Sequence, residues 1–318
     1  MLLHVIITLV RKMNKLCIKL IEFYKNKISP GTSKKCRFYP TCSSYGLECY
    51  KRFNFFKASW LTFYRIIRCN PWNKGGYDPV PEKKSKLEKL TDTYYFLEYK
   101  ENTDRPNLVY IYRENGSYII DAGNSKKHVK YFYKQLKRNK LPLPKYTIIT
   151  HHHWDHTFGL YYTDTTSIGL KETNENLIRH KEILDRKGIN ELYKQKEIPA
   201  FCIDHITYEY KHQKMNIKLL DQTFEESLEI DDLLLLKIPS NHSNDNLVIL
   251  DKKTRILFIG DALCGKIIEY DFIKDKDTIL EQIKFLEKLD FDVVMESHAS
   301  PVTKRGLLQK LQKKYNEL

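Results

Sequence analysis

Residues 146–156, Tyr-Thr-Ile-Ile-Thr-His-His-His-Trp-Asp-His, decide how the larger part of this chain is read. Tyr146 to Ile149 is apolar or β-branched throughout, the composition of a buried strand. Thr150-His151-His152-His153-Trp154-Asp155-His156 follows at once, so four His and one Asp crowd into six residues where that strand ends. A single histidine is an ordinary core or surface residue. Four imidazoles and a carboxylate at the carboxyl end of a buried strand are costly as mere structure, and they are the donor set of a divalent metal. On an extended turn His151 and His153 point to one side and can share one metal, while Asp155 and His156 reach a second. His152 points away and is left out.

The sequence on either side supplies more of the same pattern. Short strands are expected at Tyr94–Tyr99, Leu108–Tyr112 and Ser117–Ile120, with Asn115-Gly116 as a hairpin turn, then a helix over 127–138. Asp121 follows Ile119-Ile120. His242 follows the apolar run Leu233–Ile238, Asp261 follows Ile256–Ile259, and His298 follows Phe291–Met295. Each candidate sits where a buried strand meets a loop. A charged stretch from Lys171 to Lys196 is expected to form a helical lid. His4, His128, His180, His205 and His212 are read as ordinary surface or core histidines. Cys202 is unremarkable, and Cys264 is close enough to Asp261 to line a pocket.

Over about residues 90 to 318 this set resembles the metallo-β-lactamase fold of binuclear metallohydrolases, an α/β domain arranged as an αββα sandwich. By position, His151, His153 and His242 match the first metal's ligands and Asp155, His156 and His298 the second's. Asp261 matches the aspartate that bridges both, and Asp121 the aspartate that supports the ligands from behind. The resemblance implies two divalent ions, zinc first, with iron or manganese open. A water shared by them would have its pKa lowered from 15.7 toward about 7, giving hydroxide to attack an ester, thioester or phosphodiester. Asp155 would orient that nucleophile and shuttle its proton. True β-lactamases of the fold generally lack the bridging carboxylate, so antibiotic hydrolysis is disfavoured. Glyoxalase-type members carry a helical extension, and here only 20 residues follow His298. The loops depart from the family pattern: Phe158 precedes Gly159, Ser297 and Ala299 flank His298, and Asn241 stands where glycine is common. Asn can adopt the same left-handed backbone as glycine.

The first quarter of the chain is different. The whole has 54 Lys plus Arg against 40 Asp plus Glu, a net charge of +14. Residues 1–86 carry 18 of the basic residues and four acidic ones, so they hold all of the excess, and the rest is neutral. Three parts follow: a basic module over 1–81, a polar linker over 82–92, and a hydrolase-like domain over 93–318. Seven cysteines in 318 residues is no disulfide scaffold. No run reaches the roughly 18 apolar residues of a membrane span. The apolar start, Met1 to Val10, precedes its charges instead of following them, unlike a secretory signal.

Residues 2–25 read as a helix with a wide apolar face and a polar stripe, and Arg11, Lys12, Lys15 and Lys19 are the candidate membrane contacts. Ile28-Ser29-Pro30 should stop it. Further helices are expected to about Lys51 and from Phe55 to Ile67. Cys36, Cys42, Cys49 and Cys69 lack the close Cys-x-x-Cys pairs of structural zinc sites, so they are read as packed, reduced thiols.

From Ile28 to Pro81 the module resembles the YidD-type membrane protein insertion efficiency factor. The resemblance rests on the Ile28-Ser29-Pro30 turn, on Cys36-Arg37-Phe38-Tyr39-Pro40-Thr41-Cys42-Ser43-x-Tyr45, and on Arg68-Cys69-Asn70-Pro71-Trp72-x-x-Gly75-Gly76-Tyr77-Asp78-Pro79-Val80-Pro81. It implies peripheral attachment to the cytoplasmic side of a bacterial-type membrane, with an anionic membrane surface and the insertion machinery as partners. The function expected is a membrane-associated fusion of an insertion factor with a metal-dependent hydrolase of a small-molecule or phosphodiester substrate. Two alternatives stand beside it: a noncatalytic accessory of membrane insertion, and a nucleic-acid hydrolase steered by the basic module. No nucleic-acid-binding motif appears, and nucleic acid ranks below the membrane.

Overall fold

The computed structural model describes residues 2–31, 36–81, 85–199, 202–210, 214–268, 271–273 and 275–318; for residues 2–9, 11, 266–268 and 271–273 it describes the backbone alone. The chain divides into two compact units, Met1–Lys83 and Lys84–Leu318.

In the first unit, helix α1 (Leu2–Phe23) runs on through a wider turn at Tyr24–Ile28 and a tighter one at Ser29–Gly31, where Pro30 ends it. Helix α2 (Cys42–Arg52) starts at Thr41, whose hydroxyl accepts from the Ser44 amide, and α3 (Phe55–Arg68) starts at Asn54, whose side chain accepts from the Lys57 amide. Strand β1 (Phe38–Tyr39) pairs in parallel with β2 (Gly76–Tyr77). A small core forms from Tyr45, Cys49, Tyr50, Phe53, Ala58 and Val80, with Cys17, Ile18 and Ile21 of α1 packed against it. The buried Arg65 guanidinium lies over Phe38 and Tyr45 and donates to the Pro40 carbonyl and to the Asp78 carboxylate, which also binds Arg68 at 2.8 Å. Helix α1 thus packs one stripe on its own unit, while Leu16, Leu20 and Phe23 face outward.

In the second unit, among the described residues, seven strands form one sheet in the order β3 (Leu87–Lys89), β4 (Tyr94–Leu97), β5 (Leu108–Ile111), β6 (Tyr118–Ile120), β7 (Tyr146–Ile148), β8 (Thr166–Leu170), β9 (Gln222–Phe224). It is antiparallel as far as β6 and parallel beyond. The second sheet begins with β10 (Ser227–Ile230), β11 (Leu233–Lys237), β12 (Leu247–Asp251) and β13 (Ile256–Gly260). After a separate hairpin of β14 (Lys266–Ile268) and β15 (Asp271–Ile273), it closes with β16 (Val293–Glu296) and β17 (Val302–Thr303).

The residues given above as a polar linker include β3. Leu87, one of two leucines in a charged stretch, buries itself against the sheet, and Glu88 and Lys89 stay exposed, which keeps an edge strand from recruiting another.

The two sheets face each other through Ile120, Ile148, Leu233, Leu247 and Phe258, all fully buried. Each such side chain removed from water contributes about 1.5–3 kcal/mol before entropy is counted. Helix α4 (Lys126–Arg138) covers the outer face of the first sheet. Also on the first-sheet side, around Ile149, lie α5 (Trp154–Thr157), α6 (Lys171–Lys187), α7 (Ile189–Lys194) and α8 (Cys202–Tyr210). Helices α9 (Lys276–Lys288) and α10 (Lys304–Glu317) cover the second sheet. The layers are helix, sheet, sheet, helix.

Candidate metal centre

Strands β6, β7, β13 and β16 release their chains at one edge of the sandwich, so the loops after them meet there. After β6, Asp121 takes a left-handed backbone (φ 59°) and turns its carboxylate back toward β7. One oxygen accepts from the Thr150 amide at 2.9 Å and the other meets His156 Nδ1 at 2.8 Å. The loop after β7 then folds into α5, and Gly159 beyond it packs so closely on the loop after β6 that a Cβ there would lie 2.0 Å from the Ala122 carbonyl oxygen. Glycine at 159 is thus required by close approach.

The seven expected ligands converge in two adjoining clusters. His151, His153 and His242 form one, Asp155, His156, Asp261 and His298 the other, and within each the ligand atoms all lie within 4.8 Å of one another. Asp261 Oδ2 joins them: it stands 3.6 Å from His242 Nε2 of the first cluster, and 3.4 and 3.6 Å from His156 and His298 Nε2 of the second. Asp155 Oδ2 lies 3.0 Å from His156 Nε2 and 3.1 Å from His298 Nε2. His151 gives its Nδ1 to the Thr150 hydroxyl at 3.1 Å, leaving Nε2 for the site. The buried Nε2 atoms of His151 and His242 have no hydrogen-bond partner, a costly state that a metal ligand would relieve. This donor set fits two divalent ions.

Charge divides the clusters. Burial, above all, holds His151, His153 and His242 below the ordinary histidine range, so they are neutral donors. Burial opposes charge on His156 and His298 as well, but there the carboxylates win. Asp155 and Asp121 lift His156 well above the usual value, and Asp261 and Asp155 take His298 up to about 9. Burial works against ionisation of Asp155 and Asp261 too, yet the facing imidazoles bring both below the usual carboxylate range.

A cavity of about 170 Å³ opens over both clusters, walled by Trp154, Ile198, Pro199, Cys202 and Cys264 as well as by the ligands. Two acidic residues that sequence reasoning passed over, Asp104 and Glu197, also line it. Burial and the charge of Asp155 push the Asp104 carboxyl up to about 7. Other contributors were also missed. Asn107 holds the His298 loop by donating to the Glu296 and Ala299 carbonyls at 2.8 Å, and its amide donates to Ser297. Asp245 grips His152 through ring and amide at 2.9 Å, which keeps that side chain turned from the clusters as expected. The visible hint was a short Asn or Asp flanking each ligand loop, as in Asn241–Asn246.

Asn241 does not use the left-handed backbone open to it: it is not among the residues of positive φ, which include Asp121. The Asn241 side chain instead bonds Asp275 and Thr278 at the start of α9, so hydrogen bonding, not backbone freedom, explains the residue. His180 is buried and its Nε2–H donates to the Glu197 carboxylate at 3.0 Å, joining α6 to the cavity rim, the place of the lid expected at 171–196.

The metallo-beta-lactamase superfamily model matches residues 102–298, well over half of the sequence. The chain belongs to that superfamily. Solved members share its fold at low identity. The DIM-1 metallo-beta-lactamase superposes with a TM-score of 0.50 at 14% identity, covering 74% of this chain and 98% of that one. The FIM-1 metallo-beta-lactamase of Pseudomonas aeruginosa, in its mono-zinc form, also gives 0.50, at 13% identity over 74% of this chain and 96% of that one. Ahead of this metallo-beta-lactamase domain, residues 13–81 match the YidD model ("Putative membrane protein insertion efficiency factor"). Proteins of that description from Chlorobium luteolum and Chlorobaculum tepidum are 59% and 54% identical. The matches span 21% and 23% of this chain, and 79% and 89% of theirs. The first unit is therefore a YidD module fused to a metallo-beta-lactamase domain.

In that module the side chains of Lys12, Lys15 and Lys19 are exposed, while the side chain of Arg11 lies outside the described residues. Helix α3 adds a face the sequence reading did not single out: Phe56, Trp60, Phe63 and Ile67, one helical stripe, are each more than half exposed. No described helix is long and apolar enough to cross a membrane.

Proposed function

We propose that this protein is a binuclear metallohydrolase of small uncharged acyl substrates, esters or thioesters, held at an anionic membrane surface by its YidD module. The observation that carries the hydrolase reading is Asp261 Oδ2, set between a neutral three-imidazole cluster and a charged Asp-His cluster at the floor of one cavity. Two divalent ions held by these seven residues would supply Lewis acidity and a water acidified to about neutral pH. Thr150 and Asp121 fix the rings of His151 and His156. Asp155, a ligand of the second cluster, would orient a nucleophile and accept its proton. Trp154, Ile198 and Pro199 offer an apolar wall for an acyl chain and exclude water from it.

Among the described residues lining the cavity there is no Lys or Arg; Glu197, held at about 2, adds negative charge, and Asp104, pushed up to about 7, adds a partial one. A phosphodiester would meet repulsion there, so the acyl reading stands ahead of phosphodiester or nucleic-acid hydrolysis. The membrane reading is supported by the exposed stripe of α3 and the exposed lysines of α1, an aromatic-plus-basic surface of the kind that settles at the lipid headgroups.

Metal analysis with a panel of esters, thioesters and phosphodiesters tests the first half. Hydrolysis of an acyl substrate that is lost in Asp261→Ala together with metal bound to the imidazole cluster is the result expected. Turnover unchanged by Asp261→Ala refutes the reading. Sedimentation with anionic and neutral vesicles tests the second half, and equal binding to both would refute it.

A further inference from the structure

The YidD module holds a cluster of soft ligands that neither the hydrolase site nor the core of that module uses. Cys36 Sγ lies 3.3 Å from Cys42 Sγ and 3.7 Å from Cys69 Sγ, and all three sulfurs are within 4.8 Å of one another. These three are half-buried, whereas Cys49 is fully buried in the core as a packed thiol should be.

Three separate pieces of backbone hold the cluster. Cys42 opens α2 directly after its Thr41 cap, and its amide donates to Cys36 Sγ at 3.2 Å. Cys69 closes α3, its amide bonded to the carbonyls of Arg65 and Ile66. Cys36 precedes β1, where the next residue is tied down from the far loop: Gly76 donates to the Arg37 carbonyl at 3.0 Å, and Arg37 Nε to the Asn73 carbonyl at 2.6 Å. Gly75, at φ +74°, comes so near that a Cβ would lie 1.9 Å from the Arg37 oxygen. The long Asn70–Asp78 loop is thus shaped to bring Cys36 to Cys69.

We propose that Cys36, Cys42 and Cys69 form a three-thiolate site for a thiophilic d10 cation such as zinc. Metal–sulfur bonds of about 2.3 Å in tetrahedral array separate sulfurs by roughly 3.8 Å, close to the spacing found. A disulfide, at about 2.05 Å, would join two of the three and strand the last, although Cys36 stands at similar distances from both neighbours. Three protein sulfurs leave a fourth position for water or for a ligand from a partner. The spacing, five residues and then 26, hides this from a search for Cys-x-x-Cys pairs.

The test uses the reduced, chelator-stripped full-length chain in a Cys264→Ser background, since Cys264 lines the hydrolase cavity. Cadmium is the probe, because only sulfur ligation gives its intense ultraviolet charge-transfer absorption. The site is confirmed by a band that saturates at one equivalent, is lost in Cys36→Ser, Cys42→Ser or Cys69→Ser, and survives Cys49→Ser. Should a substitution unfold the module, alkylation mapped on the Cys264→Ser parent decides: cadmium must protect Cys36, Cys42 and Cys69 and leave Cys17 reactive as before. Absence of the band, protection elsewhere, or a Cys36–Cys42 disulfide formed in place of metal uptake overturns the proposal. The imidazole and carboxylate site is silent in this absorption, so failure here leaves the hydrolase reading to its own test.

Discussion

The two units treat their aromatic side chains in opposite ways. In the metallo-beta-lactamase domain Tyr94, Tyr110, Tyr118 and Phe258 are fully buried, and large apolar residues are spent on joining two sheets. In the YidD module Phe56, Trp60 and Phe63 point outward from a helix whose inner face is Ala58 and Arg65. Nearly all of the excess positive charge, +12 of +14, belongs to the unit that displays its aromatics. An apolar residue left in water is a cost unless something covers it, and basic charge names an anionic cover. A neutral unit with a sealed interior instead spends its cost on gathering unpaired imidazoles.

The largest effect should separate chemistry from scaffold within one unit. Asp155→Asn is expected to lower acyl hydrolysis by about 10²–10⁴-fold while the thermal midpoint hardly moves; an equal fall in both would make Asp155 structural. The next substitutions break the comparison between units. Phe258→Ala should cost about 3–5 kcal/mol in denaturant unfolding of the second unit. Trp60→Ala should stay within about 0.5 kcal/mol in the same assay, yet weaken binding to anionic vesicles roughly tenfold. If Trp60→Ala destabilised as Phe258→Ala does, the outward face would be a misreading.

Asp121→Asn comes third. It leaves every ligand in place but loosens His156, so metal affinity measured by competition with a chelator should fall about 10–100-fold.

The smallest effect concerns acid. Burial holds His180 below its usual value, and its hydrogen bond holds Glu197 at about 2. Both folded-state values are depressed, so in each case the unfolded chain binds the proton more readily. Stability is then present above the unfolded values and is lost as pH falls, first below about 6.5 and again below about 4.3. His180→Gln should flatten the first step of the midpoint-against-pH curve, and an unchanged curve would remove His180 from it.

Much of the site was legible because ligand chemistry writes itself locally: four His and one Asp at a strand end leave few alternatives, and the strands before Asp121, Asp261 and His298 are apolar runs. What was not legible depends on partners distant in sequence. Asn107 contacts residues nearly 200 positions away, and Asp104 enters the cavity only through a left-handed turn at φ 49°. In the YidD module the stop at Pro30 was legible, while the caps at Thr41 and Asn54 were not singled out. The thiol cluster was not legible either, because it needs a loop closed on Gly75 to exist. Leu87 shows the converse error, a strand taken for linker because its neighbours are charged.

Asn107 precedes β5 of the first sheet, yet its side chain and amide hold the loop that carries His298 from the second. The two sheets are therefore laced together at the point where the last ligand is presented. Ion occupancy and docking of the two halves would then be linked equilibria: whatever binds the assembled site would oppose separation of the sheets, and separation of the sheets would weaken its hold on any ion.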